Sequence, residues 1–389
     1  MAVTFIPNTP EWMADPYASY RELREQDPIH WSEVLGHWVL TRYADVVSVL
    51  KDERFSAANR PPQRRWGRPT TMVTADPPDH GRLRKSVRHR FSLTAINAQR
   101  PRIQEIIDEL LDAAEPHGEM DFVAQLSRPF PRTVMLGLLG VPDPTPANSP
   151  HTATPPKAAA KDSGKGSKLR GVALAPGTAM PGERYFEEAL EKHREELTDD
   201  LLGELLKAEA GREMSPEEVL DTAVILYAAG QETTAKMIAS CLFHLLKNPD
   251  QLAALRADPS LLESTTEELL RFEAPAHAIT RRATADVALG EETIRKGEKV
   301  LCILAAANRD PEFFDDPERL DITRESNPHI AFGTGIHACL GATLARVEIQ
   351  IAIETMLSRY PKLRLTTDDV EWEGSFIIRG LASLAISLS

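Results

Sequence analysis

The sequence predicts a mainly α fold with a small β region, in a single domain over residues 1–389. Three observations lead there. Hydrophobic periodicity of the helical kind dominates the chain. One segment, opening at Ser215, is long and apolar enough to cross the core of a large domain. Strand-like patterns are confined to short runs near residues 28–42, 286–303 and the C-terminus.

In chain order, ADPYASYRELREQDP and YADVVSVLKD each carry an apolar stripe and read as helices. Between them, PIHWSEVLGHWVLTR reads as a strand pair turning at Leu35 and Gly36. SPEE then places Ser215 at N-cap, Pro216 at N1 and Glu218 at N3, a capping box. The helix it opens can run to Asn248, where Pro249 follows, roughly 50 Å at 1.5 Å per residue. SLLESTTEELLRFEAP is a helix stopped by Pro275, and DVALGEETIRKGEKVLCILAAANRD mixes short strands with turns. LGATLARVEIQIAIETMLSRY is a second long helix, and SFIIRGLASLAISLS reads as a terminal hairpin. Residues 142–181 stand apart. They are rich in Pro, Ser, Thr, Ala and Gly and contain no aromatic residue, which predicts a loop. A domain linker would have that composition too, but the flanking segments read as parts of one helical body.

The formal net charge of −13 makes nucleic acid and anionic lipid poor general partners. Three widely spaced cysteines give no disulfide framework and point to a reducing compartment. The N-terminus has no basic start followed by an apolar run, and no stretch reaches 18 apolar residues without charge. The expectation is a cytoplasmic protein with no membrane partner.

The chemistry concentrates in FGTGIHACLG, residues 332–341. Its glycines let the chain turn closely around Cys339 and aim backbone N–H groups at the sulfur. The helix that starts just after adds the positive end of its dipole, and both favour the thiolate. A lone cysteine is more often a small buried hydrophobe. Structural zinc normally needs four protein ligands, and there is no C-x-x-C here. Cys241 and Cys302 sit in apolar contexts, and His337, two residues before Cys339, could bind zinc only with distant partners. One axial thiolate on haem iron fits better, because the porphyrin supplies the other four ligands.

The pattern F-G-x-G-x-H-x-C-x-G resembles the haem-binding loop of the cytochrome P-450 family. Other segments agree in order and spacing. Glu268 and Arg271 match the family's E-x-x-R, and residues 229–234, AGQETT, match its A-G-x-(D/E)-T stretch. DPPDH at 76–80 followed by Arg84 matches an early haem-contacting helix. ANRDP at 307–311 and PERLDITRESNPH at 317–329 match the approach to the cysteine loop. The resemblance covers nearly everything except residues 142–181 and is closest to soluble bacterial members without a membrane anchor. It implies a triangular helical fold with a long central helix over haem b, and O2 as co-substrate.

It also implies roles. Cys339 is the axial ligand, with Phe332, Gly333 and Gly341 shaping its loop. His80, Arg84, Arg281 and His337 hold the haem propionates, Arg282 being the neighbour that competes with Arg281. Glu268 and Arg271 form a buried structural pair joined by an arginine of the PERL stretch, Arg319, with Arg324 as the competing third member. On the central helix, Thr233 donates a hydrogen bond to the distal oxygen and Glu232 relays protons from solvent. A mid-helix threonine ordinarily bonds back to the carbonyl four residues earlier, here Ala229, and Ala229 with Gly230 leaves room for a local kink. Tyr227, Ala228, Ala229, residues 276–279 with Ala276 and Ile279, and residues 376–378 with Ile377 line the substrate pocket. The loop 59–72, with Arg60, Arg64, Arg65 and Arg68, closes it.

The activity implied is a haem-thiolate monooxygenase acting on a small organic molecule. The chain has no flavin or iron–sulfur segment, so electrons would come from a ferredoxin-type partner. That partner would dock on the basic run Arg82, Lys85, Arg88, His89 and Arg90. A peroxide-driven relative and a haem gas sensor or carrier are the alternatives. Residues 142–181 stand where the family's helical roof begins. Their eight prolines predict a missing or shortened first roof helix replaced by a mobile lid, with helix resuming near Glu183. A recent insertion that the fold merely tolerates is the plainer origin.

Overall fold

A strand buried on both faces, Lys299–Ile303, builds a layered core in the computed structural model, which describes residues 3–58, 71–114, 118–143 and 183–389. Strands Ile29–Ser32 and His37–Leu40 pair antiparallel, Ile29 opposite Leu40, around a turn in which Gly36 takes φ 64°. They continue into a five-stranded sheet through Lys299–Ile303, Ala278–Ala283 and Phe55–Ser56, the step from His37–Leu40 to Lys299–Ile303 being parallel. Side chains at successive positions point to opposite faces of a strand. Leu40, Val300 and Cys302 therefore pack with Val46, Val49 and Leu50 of helix Tyr43–Lys51. Val39, Leu301 and Ile303 pack with Tyr17, Tyr20 and Leu23 of helix Tyr17–Gln26. Burial pushes the Cys302 thiol up to about 12, so this cysteine is a core residue.

The chain divides into two compact units. The first comprises Met1–Ser56, Phe91–Val134 and Gly230–Ser389. Besides the sheet it contains helices Leu93–Ala114 and Ala342–Arg359, which pack together. Arg100 Nη2 donates to Gln350 at 2.8 Å and Gln104 Nε2 to Thr355 at 3.0 Å across that interface. The expected terminal hairpin does not form. Arg379–Leu381 pairs with Trp372–Gly374, whereas Ala385–Ser387 lies between Glu119–Asp121 and Arg364–Leu365 in a separate three-stranded sheet. The cause is non-local: the backbone at Leu384 is claimed by Phe122, whose N–H donates to its carbonyl at 2.8 Å.

The second unit comprises Ala57–Arg90 and Met135–Ala229. Helix resumes at Glu183 as expected, in Glu183–Glu195. Asp200 caps Leu201–Ala210 by accepting from the Gly203 N–H at 2.8 Å. The central helix, Pro216–Lys247, starts here with its capping box formed: Ser215 Oγ accepts from the Glu218 N–H (3.3 Å) and Glu218 Oε2 from the Ser215 N–H (2.9 Å). The proposed lid, apart from Pro142 and Asp143, and residues 59–70 of the pocket-closing loop lie outside the described residues. Among the described residues no helix is long and apolar enough to cross a membrane.

Ser215→Ala removes the side-chain half of the capping box. It should lower stability by about 1 kcal/mol, read as a lower urea midpoint at unchanged m-value.

Candidate active site: the cysteine loop and the central helix

The cysteine loop is a cradle built on glycine. Gly333 and Gly335 adopt φ 68° and 73°, the left-handed region open to glycine at no steric cost. A Cβ on Gly335 would stand 2.6 Å from the Leu50 carbonyl oxygen, and one on Gly333 3.3 Å from Ile279 Cδ1. The loop closes where the Cys339 N–H donates to the Phe332 carbonyl at 2.9 Å, and Ala342–Arg359 begins three residues later. A Cβ on Gly341 would meet nothing within 4 Å, so the space at that end of the loop is open. Cys339 is exposed, whereas Cys241 and Cys302 are buried and burial raises both thiols. Among the described residues no group of three His, Cys, Asp or Glu could hold a metal ion. An accessible thiol just before a helix N-terminus is a donor that suits a macrocycle carrying its own equatorial nitrogens.

The approach to the loop is fixed by helix Leu262–Phe272. Glu268 and Arg271 are three apart, hence neighbours on one face, and both side chains are fully buried at 0% exposure. That burial separates them from the solvated i,i+3 pairs of ordinary surfaces. Arg271 reaches both carboxylate oxygens at 2.8 Å and gives its remaining donors to the carbonyls of Asn308, Pro317 and Arg319. Glu268 also accepts from the Asp321 N–H (2.9 Å), Asn327 Nδ2 (3.1 Å) and Arg324 Nε (3.1 Å). The assignment of Arg319 as third member is therefore corrected. Arg319 contributes its backbone carbonyl, and the guanidinium on Glu268 belongs to Arg324. The Asp321 side chain, accepting from the Thr323 N–H and hydroxyl, turns the chain back and brings Arg324 over the carboxylate.

The central helix is α-helical throughout Pro216–Lys247, and the helix is unbroken at Ala229 and Gly230, where the sequence left room for a kink. Most of its middle is buried, yet the Glu232 side chain is 58% exposed and Thr233 half-buried. A partner that the sequence reading missed lies one turn on. Lys236 is only 7% exposed, 2.9 Å from Glu373 and 3.8 Å from Glu232. Its stem lies against Gly380, where a Cβ would come within 2.4 Å of Lys236 Cγ. Nothing local in the sequence marks it, because Glu373 and Gly380 are more than 130 residues away.

In the first unit, Arg281 is buried in strand Ala278–Ala283, donating to the Thr280 carbonyl at 3.0 Å, and Arg282 and His337 are half-buried. Ala276, Ile279 and Ile377 are half-buried as well. The two segments meet through the bridge Ala276–Ile378 and the His277 N–H donating to the Ile377 carbonyl at 2.9 Å. In the second unit, His80 is buried on helix Asp79–Val87, its imidazole pushed below the ordinary value by burial and then by the charge of Arg84. Tyr227 is buried with its ring 5.4 Å from that of Phe186, and Ala229 is exposed. The basic run is largely answered within its own unit. Arg82 pairs with Asp79 (2.8 Å) and Glu218 (2.7 Å), Arg90 with Asp199 and Glu204, and His89 with Glu204 (3.2 Å). Reversing Arg82 would thus break a contact between two helices, so it is no clean probe of docking.

Glu268→Gln leaves the buried Arg271 guanidinium without its countercharge. It should cost about 3–5 kcal/mol, measured as the change in unfolding free energy against denaturant.

Comparisons with known proteins agree with this arrangement. Residues 180–371 match the family described as Cytochrome P450. The chain is 40% identical over 399 residues to Cytochrome P450 107B1 of Saccharopolyspora erythraea, covering 96% of this chain and 95% of that protein. It is 39% identical over 398 residues to Cytochrome P450 monooxygenase PikC of Streptomyces venezuelae, covering 97% and 92%. The crystal structure of P450BioI in complex with hexadec-9Z-enoic acid ligated acyl carrier protein superposes with a TM-score of 0.87 at 33% identity, covering 97% of this chain and 100% of that one. With a buried E-x-x-R pair, an exposed thiol in a glycine cradle and near full-length similarity to such enzymes, the chain belongs to the cytochrome P450 family and is an oxidoreductase of its monooxygenase class.

Proposed function

We propose that the protein is a haem-thiolate monooxygenase that hydroxylates a small organic molecule, using O2 and electrons from a separate ferredoxin-type partner. The observation that carries this reading is Cys339, the one exposed cysteine, presented by a glycine loop at a helix N-terminus. Cys339 would ligate the iron of haem b, and Phe332, Gly333 and Gly341 would shape the space beside it. Arg281, His337, His80 and Arg84 would be the donors for the propionates, as the family resemblance implies. When bound, haem supplies the activation of O2.

The chain's own part is to bind, orient and supply protons. Thr233 Oγ1 is the hydroxyl that donates toward oxygen. The Glu232 carboxylate, more than half exposed, exchanges protons with water and passes them inward. Lys236 Nζ stands 3.8 Å from that carboxylate, one turn further along the helix. Ala276, Ile279 and Ile377, with Tyr227 and Ala229, are assigned to the substrate, and their apolar character suits an apolar secondary metabolite. A peroxide-driven reaction or a gas carrier would leave Glu232 and Thr233 without a task, which favours O2 chemistry.

Cys339→Ser tests the ligand. It should abolish the red-shifted Soret band of the ferrous-CO complex, because a hydroxyl is a far weaker donor than a thiolate. An unchanged band would remove Cys339 from the iron.

Thr233→Ala should preserve haem content and substrate affinity while diverting electrons to peroxide. The measurement is product formed per reduced nicotinamide consumed in a reconstituted system, expected to fall by up to about a hundredfold, the lower end of what one positioned proton donor contributes. Equal coupling in variant and parent would exclude Thr233 from proton delivery.

A further inference from the structure

A second carboxylate grips the cysteine loop, next to the one in the E-x-x-R pair. Glu267 precedes Glu268 on helix Leu262–Phe272 and faces a different set of partners. Arg346, one turn into helix Ala342–Arg359, donates to both of its oxygens, Nε to Oε1 at 2.6 Å and Nη2 to Oε2 at 2.7 Å. His329 Nε2 lies 3.0 Å from Oε2. The Ala331 N–H donates to His329 Nδ1 at 3.2 Å, so the ring proton sits on Nε2 and is given to Glu267. Arg346 also lies over the face of Phe332, 4.6 Å from the ring centroid, while the His329 ring is 6.2 Å from that of Phe332. Phe332 closes the loop through its carbonyl on the Cys339 N–H.

We propose that Glu267 and Arg346 are positioning residues for the Cys339 thiolate: one carboxylate holds His329 before the loop and Arg346 after it, and the Arg346 guanidinium pins Phe332, whose carbonyl sets the Cys339 amide. The inference rests on the haem-thiolate reading above. An exposed ion pair would carry little such information. This one is bidentate, shared and stacked, the combination that fixes orientation. Burial would raise the Glu267 carboxyl, yet the hydrogen bonds from Arg346 and His329 hold it at about 2, so it stays an acceptor at any working pH. The effect of Glu267 would pass through Phe332.

The test uses the full-length, haem-loaded protein and two readouts other than turnover: the ferrous-CO spectrum and hydrogen exchange at the Cys339 amide. Glu267→Gln and Arg346→Gln should each raise the blue-shifted, neutral-thiol share of the CO complex about tenfold, and speed exchange at Cys339 similarly, the scale of one lost charge-assisted pair. The double variant should go no further than either single one. Arg346→Lys keeps the charge but loses the planar fork, so it should fall between, and it serves if Arg346→Gln does not retain haem. Arg100→Ala, which breaks the contact of Arg100 with Gln350 on the same helix, should lower stability and leave the CO band in place. Parent spectra and parent exchange rates in both glutamine variants would overturn the proposal, as would an equal band shift in Arg100→Ala. If Cys339→Ser loses the band while the glutamine variants keep it, the positioning role alone fails. If Cys339→Ser keeps the band, the thiolate reading itself fails.

Discussion

The Glu268–Arg271 pair is the contact on which the rest of the site depends. Removing both charges from water is costly, and a buried pair gains little net stability unless its remaining lone pairs and protons are satisfied. Here they are. Arg271 divides its donors among a carboxylate and three backbone carbonyls, and Glu268 gathers an amide, an asparagine and a second guanidinium. The Arg271 guanidinium also lies 5.4 Å from the Phe314 ring centroid, so its faces meet aromatic carbon. These partners all come from one strip of chain, residues 308–327, which has almost no secondary structure of its own. The ion pair does for that strip what a ladder of hydrogen bonds does for a strand.

How much was legible in the sequence follows from how local each signal is. The capping box at Ser215, the turn at Gly36 and the i,i+3 spacing of Glu268 and Arg271 are short-range patterns, and each appears where its spacing places it. The cysteine loop was legible because its glycines carry a backbone requirement that other residues cannot meet at the same positions. What failed was non-local. The last strands looked like partners of each other because they are adjacent, but Ala385–Ser387 is claimed by Glu119–Asp121 and Arg364–Leu365. Arg319 and Arg324 are equally good cations five residues apart, and only the turn at Asp321 decides which reaches Glu268. Charge counted along the chain also misled: the basic run after His80 is mostly committed to Asp79, Asp199, Glu204 and Glu218.

A second buried cluster shows the same economy near the segments assigned to substrate. Glu273 pairs with Arg379 at 2.7 Å and lies 3.4 Å from His277, whose Nδ1 is 3.2 Å from the Tyr20 hydroxyl. Burial alone would raise the Glu273 carboxyl, but the close approach of His277 and the charge of Arg379 hold it well below the carboxylate range. His244, facing the same carboxylate, is pushed down to about 4 by burial. The cluster therefore carries a charged core beside residues 275–279 and 376–378. It anchors both stretches at their bases, while Ile279 and Ile377 pack against the two core clusters on either face of the sheet.

Gly380 gives that arrangement a limit. It is two residues after Ile378, in the strand Arg379–Leu381, and the stem of Lys236 occupies the space where any side chain would go. The strand pair Trp372–Gly374 and Arg379–Leu381 therefore cannot be redrawn freely to suit a new substrate. A bulkier residue at 380 would push the lysine aside, and with it the salt bridge to Glu373 and the charge beside Glu232. For anyone building variant libraries to change selectivity, positions 236, 373 and 380 are one coupled set, to be exchanged together.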